Sequence, residues 1–102
     1  MLMLYVTCKD KEEAKKIARE LLEQKLVACA NILQSSSLFH WEGKLNEQEE
    51  AVLLLKTAEN QAEKAAETIK KLHSYTVPCI IRLPVEANKP FEEWVNKETK
   101  GI

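Results

Sequence analysis

The sequence predicts an α+β sandwich: a four-stranded antiparallel sheet with two helices on one face. Three observations lead there. The chain reads strand, helix, strand, and then strand, helix, strand again, before a short closing helix. The two halves meet at Gly43, the sole glycine before Gly101 near the C-terminus. Finally, 102 residues with 45% hydrophobic content suit one domain, 1–102, around one core. Right-handed crossovers in both halves then give the ferredoxin-like arrangement.

Met1–Val6 is a continuous apolar run, as expected of a strand buried on both faces. The chain turns polar over Thr7–Asp10, where Asp10 and Glu13 have the spacing of a capping box. Ala14, Ile17, Ala18, Leu21 and Leu22 follow as one stripe on a helix from Lys11 to about Gln24. A second strand starts at Leu26 and reaches Leu33. Gln34-Ser35-Ser36-Ser37 interrupts it as a bulge or loop before Leu38 resumes the extended pattern.

Gly43 supplies the reversal of a long hairpin, and the polar Asn46–Glu50 stretch can serve as a bulged connection. The third strand is expected from about Glu49 to Lys56. Asn60 with Glu63, or else Thr57, would cap a second helix. Its stripe is Ala58, Ala62, Ala65, Ala66, Ile69 and Leu72, and it ends near His73. Val77–Val85 is a fourth strand, and Pro78 and Pro84 restrict it to an edge or a strand start. Pro90 opens a final helix bearing Phe91, Trp94 and Val95, with Gly101 as its stop.

Two helices cover one face of a sheet, yet Met1–Val6, Ala51–Leu55 and Cys79–Leu83 are apolar at consecutive positions. The second face therefore needs the closing helix or another chain, and self-association is expected. Fifteen basic against sixteen acidic residues give a net charge of −1, which argues against a nucleic-acid partner. No run is long enough to cross a membrane, and the start lacks a secretory pattern. Three unpaired cysteines suit a reducing compartment, so the expected location is cytoplasmic.

Phosphate loops, nucleophile elbows and His-x-x-x-His pairs are all missing. A Cys29/His73 nucleophilic pair has no third orienting group, so the chain is not read as an enzyme. Metal binding fits better, because Cys8, Cys29, Cys79, His40 and His73 are soft or borderline donors that favour copper or zinc. Each cysteine also reads as a small core residue, and His73 as a cation at a helix C-terminus. Trp41, Tyr75 and Trp94 stand near element ends, as packing or as walls of a cleft to which Lys56 adds a charge.

Four segments together carry a family resemblance. They are Leu26-Val27-Ala28-Cys29-Ala30-Asn31, Trp41-Glu42-Gly43-Lys44, Leu55-Lys56-Thr57 and His73-Ser74-Tyr75-Thr76-Val77-Pro78. In that order and spacing the chain resembles the CutA divalent-cation tolerance family. The resemblance implies a PII-like homotrimer whose other partners are metal ions, copper above all, and a role in metal tolerance. It implies Cys29 and His73, with Cys8, as metal-binding residues, and Trp41, Lys56 and Tyr75 as lining of an intersubunit cleft. It also implies an alternative, a PII-like regulatory module that takes a small effector or protein partner in that cleft. The chain departs from the family pattern at Ser74, where proline is usual, and at Cys79, where an acidic residue is common. A thiol in place of a carboxylate would favour softer ions.

Overall fold

Apolar side chains at alternate positions of two neighbouring strands create the core. The structure, a computed structural model, describes residues 1–100. Its elements are β1 (Leu2–Cys8), α1 (Lys11–Glu23), β2 (Cys29–Trp41), β3 (Lys44–Thr57), α2 (Ala62–Leu72), β4 (Ile80–Pro84) and α3 (Lys89–Glu98). The strands lie in the order β2-β3-β1-β4, all antiparallel, which is the ferredoxin-like topology. Leu4, Val6 and Cys8 of β1 sit opposite Leu55, Leu53 and Ala51 of β3. This patch is roofed by Ala14, Ile17 and Leu21 of α1 and by Ala65 and Ile69 of α2. Each buried leucine or isoleucine contributes about 1.5–3 kcal/mol. Leu22, expected in the α1 stripe, lies at its edge and stays exposed.

The ends of α1 are closed by its own sequence. Asp10 Oδ1 accepts the Glu13 N–H at 2.8 Å, as the capping spacing predicts. The reciprocal bond is displaced by one residue: Glu13 Oε1 accepts the N–H of Lys9 at 3.0 Å, not that of Asp10. At the other end Lys25 takes a left-handed φ of 57°. There the Leu26 N–H donates to Leu21 O (2.9 Å) and the Lys25 N–H to Leu22 O (3.1 Å), a Schellman closure.

α2 lacks the expected cap. Residues Glu59–Gln61 form a 3-10 turn that leads into it, and no side chain caps it. Thr57 belongs to β3 instead, and its buried hydroxyl donates to Leu26 O at 2.6 Å. In α3, Val95 is buried, and Gln61 Nε2 donates to Thr99 O at 2.7 Å. Gly101, expected to stop this helix, lies outside the described residues. β4 is shorter than expected and pairs only with β1, so both prolines fall where an edge strand tolerates them.

The central hairpin departs most from expectation. β1 ends level with Ala51 and Gln34, but β2 and β3 continue together as a two-stranded ribbon. The serine cluster is ordinary strand, and β3 begins at Lys44 rather than Glu49. Polar cross-strand pairs sustain the ladder where hydrophobicity falls: Ser36 Oγ donates to Glu49 at 2.8 Å and Gln34 Nε2 at 3.3 Å. Trp41 pairs with Lys44, so the turn has only two residues, Glu42 (φ 52°) and Gly43 (φ 78°). Positive φ at both positions marks a type I′ turn, whose twist matches that of the strands. The ribbon makes the molecule long, 44 × 25 × 20 Å.

On the face away from the helices, Leu33, Ile81 and Leu83 are exposed. On the ribbon Trp41 (50% exposed) continues that face, whereas Leu38 (66%) and Leu45 (67%) lie on the opposite one. These six large apolar residues need cover, as the two-sided apolarity anticipates.

Candidate functional site

Cys8 ends β1, Glu13 lies in the first turn of α1, and His73 follows the last turn of α2. The fold brings these three ends together, and one donor atom from each lies within 4.8 Å of the other two. The His73 and Glu13 donor atoms are already engaged. His73 Nε2 is 2.8 Å from the Thr7 carbonyl, which can only accept, so Nε2 carries the proton. The Nδ1 lone pair accepts the Tyr75 N–H at 3.1 Å. His73 is thus the neutral Nε2–H tautomer.

Glu13 Oε1 accepts from Lys9, and Oε2 accepts the Ser74 N–H at 2.9 Å. Burial works to raise the Glu13 pKa. Hydrogen bonds from Ser74 and Lys9 outweigh it and hold the carboxyl below its ordinary value. Burial pushes the Cys8 thiol up to about 12, and the Glu13, Glu50 and Asp10 carboxylates add to the shift. At rest Cys8 is a protonated thiol.

Cys29 is not part of this cluster. It pairs with Lys56, which pairs with Met3, five residues before Cys8 on β1. At roughly 3.3 Å per residue, about 16 Å of strand separates it from the Cys8 level. Within one chain Cys29 and His73 do not meet. Cys79 is half-buried outside the cluster, and His40 is exposed far out on the ribbon.

A cleft of about 600 Å³ opens beside the cluster, between the ribbon and the segment from Ser74 to Cys79. Trp41 and Tyr75 line it, with Phe39, Gln48, Glu50 and Val77. Lys56 does not line it, because its ammonium is held by Asn31 near the other end of the sheet. The Tyr75 hydroxyl donates to Glu50 Oε2 at 2.5 Å and accepts from Gln48 Nε2 at 3.0 Å. Burial, the Glu50 hydrogen bond and the Glu50 charge push the phenol above its usual range, against a lowering by Gln48.

Sequence reasoning missed Glu13 and Glu50 as site residues. Glu13 read as a helix cap, which it also is. Glu50 stands in a polar stretch, Asn46–Glu50, and its one distinguishing mark is its place directly before the apolar β3 core.

A ferredoxin-like sheet with an overlong central hairpin defines a PII-like class of small α+β protein. The PII-like protein CutA from Nostoc sp. PCC 7120, solved in apo form, is similar over the whole of both chains, with a TM-score of 0.93 at 26% identity. The chain belongs to the CutA1 divalent ion tolerance protein family, whose model matches residues 2–98. It is 42% identical to the divalent-cation tolerance protein CutA of Pyrococcus horikoshii, over 98% of this chain and 99% of that one. A crystal structure of CutA1 from Pyrococcus horikoshii has a TM-score of 0.94 at 40% identity, covering 98% of this chain and 99% of that one.

Proposed function

We propose that this chain binds divalent or cuprous metal at Cys8, Glu13 and His73 and so contributes to metal tolerance. The convergence of thiol, carboxylate and imidazole at one corner of the fold carries the reading. One sulfur, one oxygen and one nitrogen form a mixed set suited to copper or zinc, and the soft thiol favours copper. The residues fit a metal as donors, but each must first give something up. Cys8 must lose its proton. His73 must release the Tyr75 N–H from Nδ1, its only lone pair. Glu13 must release Lys9 or Ser74. Each exchanged hydrogen bond costs about 0.5–1.5 kcal/mol, which lowers the affinity of the site. Among the described residues, no set argues for catalysis.

The same reading makes the protein a homotrimer in the cytoplasm. Exposed Leu33, Leu38, Leu45, Ile81 and Leu83 support self-association, and the number three rests on the family resemblance. Three free thiols suit a reducing compartment.

Competitive titration of the anaerobically reduced protein with Cu(I), Cu(II) and Zn(II) tests the site. We expect one ion per protomer, with binding lost in Cys8→Ser and His73→Ala and kept in Cys29→Ala. Binding that survives both of the first two substitutions sinks the assignment.

A further inference from the structure

We propose that Ser74-Tyr75 is a latch. The donors of the metal site fasten it through hydrogen bonds, and ligation by those same donors unfastens it and loosens the root of the ribbon. The inference rests on the metal reading above and adds what ligation does to the fold.

At one point the exchange is obligatory. His73 Nε2 directs its proton at the Thr7 carbonyl, which leaves Nδ1 with the one lone pair of the ring. That lone pair accepts the Tyr75 N–H at 3.1 Å and cannot serve a metal as well. Glu13 Oε2 holds the preceding N–H, that of Ser74, at 2.9 Å. Two donors of the site thus fasten two consecutive backbone groups. Among the described residues, Ser74–Val77 make no backbone–backbone hydrogen bond, so side-chain ties are what hold the segment. Cys8 is fully buried, and an ion reaches it only after the atoms around it move. A part-buried N–H that loses its acceptor must find another, here by turning toward water.

Tyr75 carries the movement outward. Its ring centroid lies 4.9 Å from that of His73, so a turn of the imidazole disturbs both the backbone bond and the ring contact. Its hydroxyl donates to Glu50 Oε2 at 2.5 Å and accepts from Gln48 Nε2 at 3.0 Å. The β1–β3 ladder ends at the Cys8–Ala51 pair, and Glu50 and Gln48 are the next residues of that face toward the ribbon tip. Tyr75 therefore spans from the metal-site corner to the root of the ribbon. Every bond in this path lies within one chain.

The test uses the whole, anaerobically reduced chain with and without one equivalent of Cu(I). Calorimetry establishes binding, and nuclear magnetic resonance of the same sample follows backbone amide exchange and the Gln48 side-chain amide. On binding, the Tyr75 amide should exchange about tenfold faster or more, and the Ser74 amide with it. The Gln48 signals should shift, while the Leu26 amide in the α1 closure should not change. His73→Ala removes the Nδ1 acceptor and should release the Tyr75 amide without any metal. His73→Asn restores an acceptor for the N–H two residues on, and should keep that amide protected with or without Cu(I). Tyr75→Phe should bind one equivalent and release its own amide, with the Gln48 signals no longer responding. Stoichiometric binding that leaves the Tyr75 amide protected overturns the latch and leaves the metal site standing. Protection retained in His73→Ala also overturns the latch, and a Gln48 response that persists in Tyr75→Phe overturns the path to the ribbon. Absence of stoichiometric binding by calorimetry overturns the metal reading and this inference with it.

Discussion

The proposed metal capture at Cys8 would start from a thiol and not a thiolate, which makes it pH-dependent. With the thiol raised to about 12, the proton must leave on binding. Apparent affinity should therefore rise about tenfold per pH unit between pH 6 and 8. Titrations at three pH values measure that slope, and a flat profile would remove Cys8 from the site. Glu13 titrates in the opposite sense. Its folded pKa lies below the ordinary carboxylate value, so its contribution to stability is complete above that range and lost as pH falls through it. Glu13→Gln offers one acceptor where two N–H groups need one each, and should cost about 1–3 kcal/mol in urea unfolding. At this scale the sequence was only partly legible. Residue types announced soft donors, but spacing along the chain could not show that Cys8 and not Cys29 faces His73. That depends on where two strands and two helices end in space.

The elements were read well wherever burial imposed a period and poorly where it did not. The α1 stripe emerged because Ala14, Ile17, Ala18 and Leu21 all meet the sheet. The ribbon looks broken in the sequence because Ser35–Ser37 and Asn46–Gln48 have no core to face, so their pattern carries no strand signal. Cross-strand polar bonds and the I′ turn hold them extended instead. Two substitutions test these local devices. Lys25→Gly should stabilise the protein by about 0.5–1 kcal/mol, because glycine adopts the left-handed closure of α1 without strain. Gly43→Ala should destabilise it by about 1 kcal/mol through backbone strain alone, since a Cβ there would meet nothing within 4 Å. Thermal denaturation of both variants beside the parent gives the sign and size.

Across the whole molecule, apolar cover is incomplete. Continuous hydrophobic runs foretold this, because they could not all fit beneath two helices. They did not show that part of the uncovered surface lies on a projecting arm, with Leu38, Trp41 and Leu45 near its tip. An isolated two-stranded hairpin is marginal in water, so the arm relies on a neighbour in the proposed trimer. Leu38→Glu together with Leu45→Glu should shift the protein to monomer in light-scattering measurements and leave the far-ultraviolet helix signal near its parental value. A persistent trimer would place the interface elsewhere. Only the arrangement of the elements, not their sequence, shows which apolar residues remain uncovered.

The projecting arm also bears on how the protein acquires its native state. The core beneath α1 and α2 contains every contact it needs within one chain and can form in a first-order step. In the proposed trimer, residues beyond Ser35 and before Glu50, which extend past the end of β1, would gain their cover from a neighbouring chain. Refolding should therefore show two phases: a fast one independent of protein concentration, and a slower one that accelerates with it. Amide hydrogens of the arm would gain protection against exchange only in the second phase.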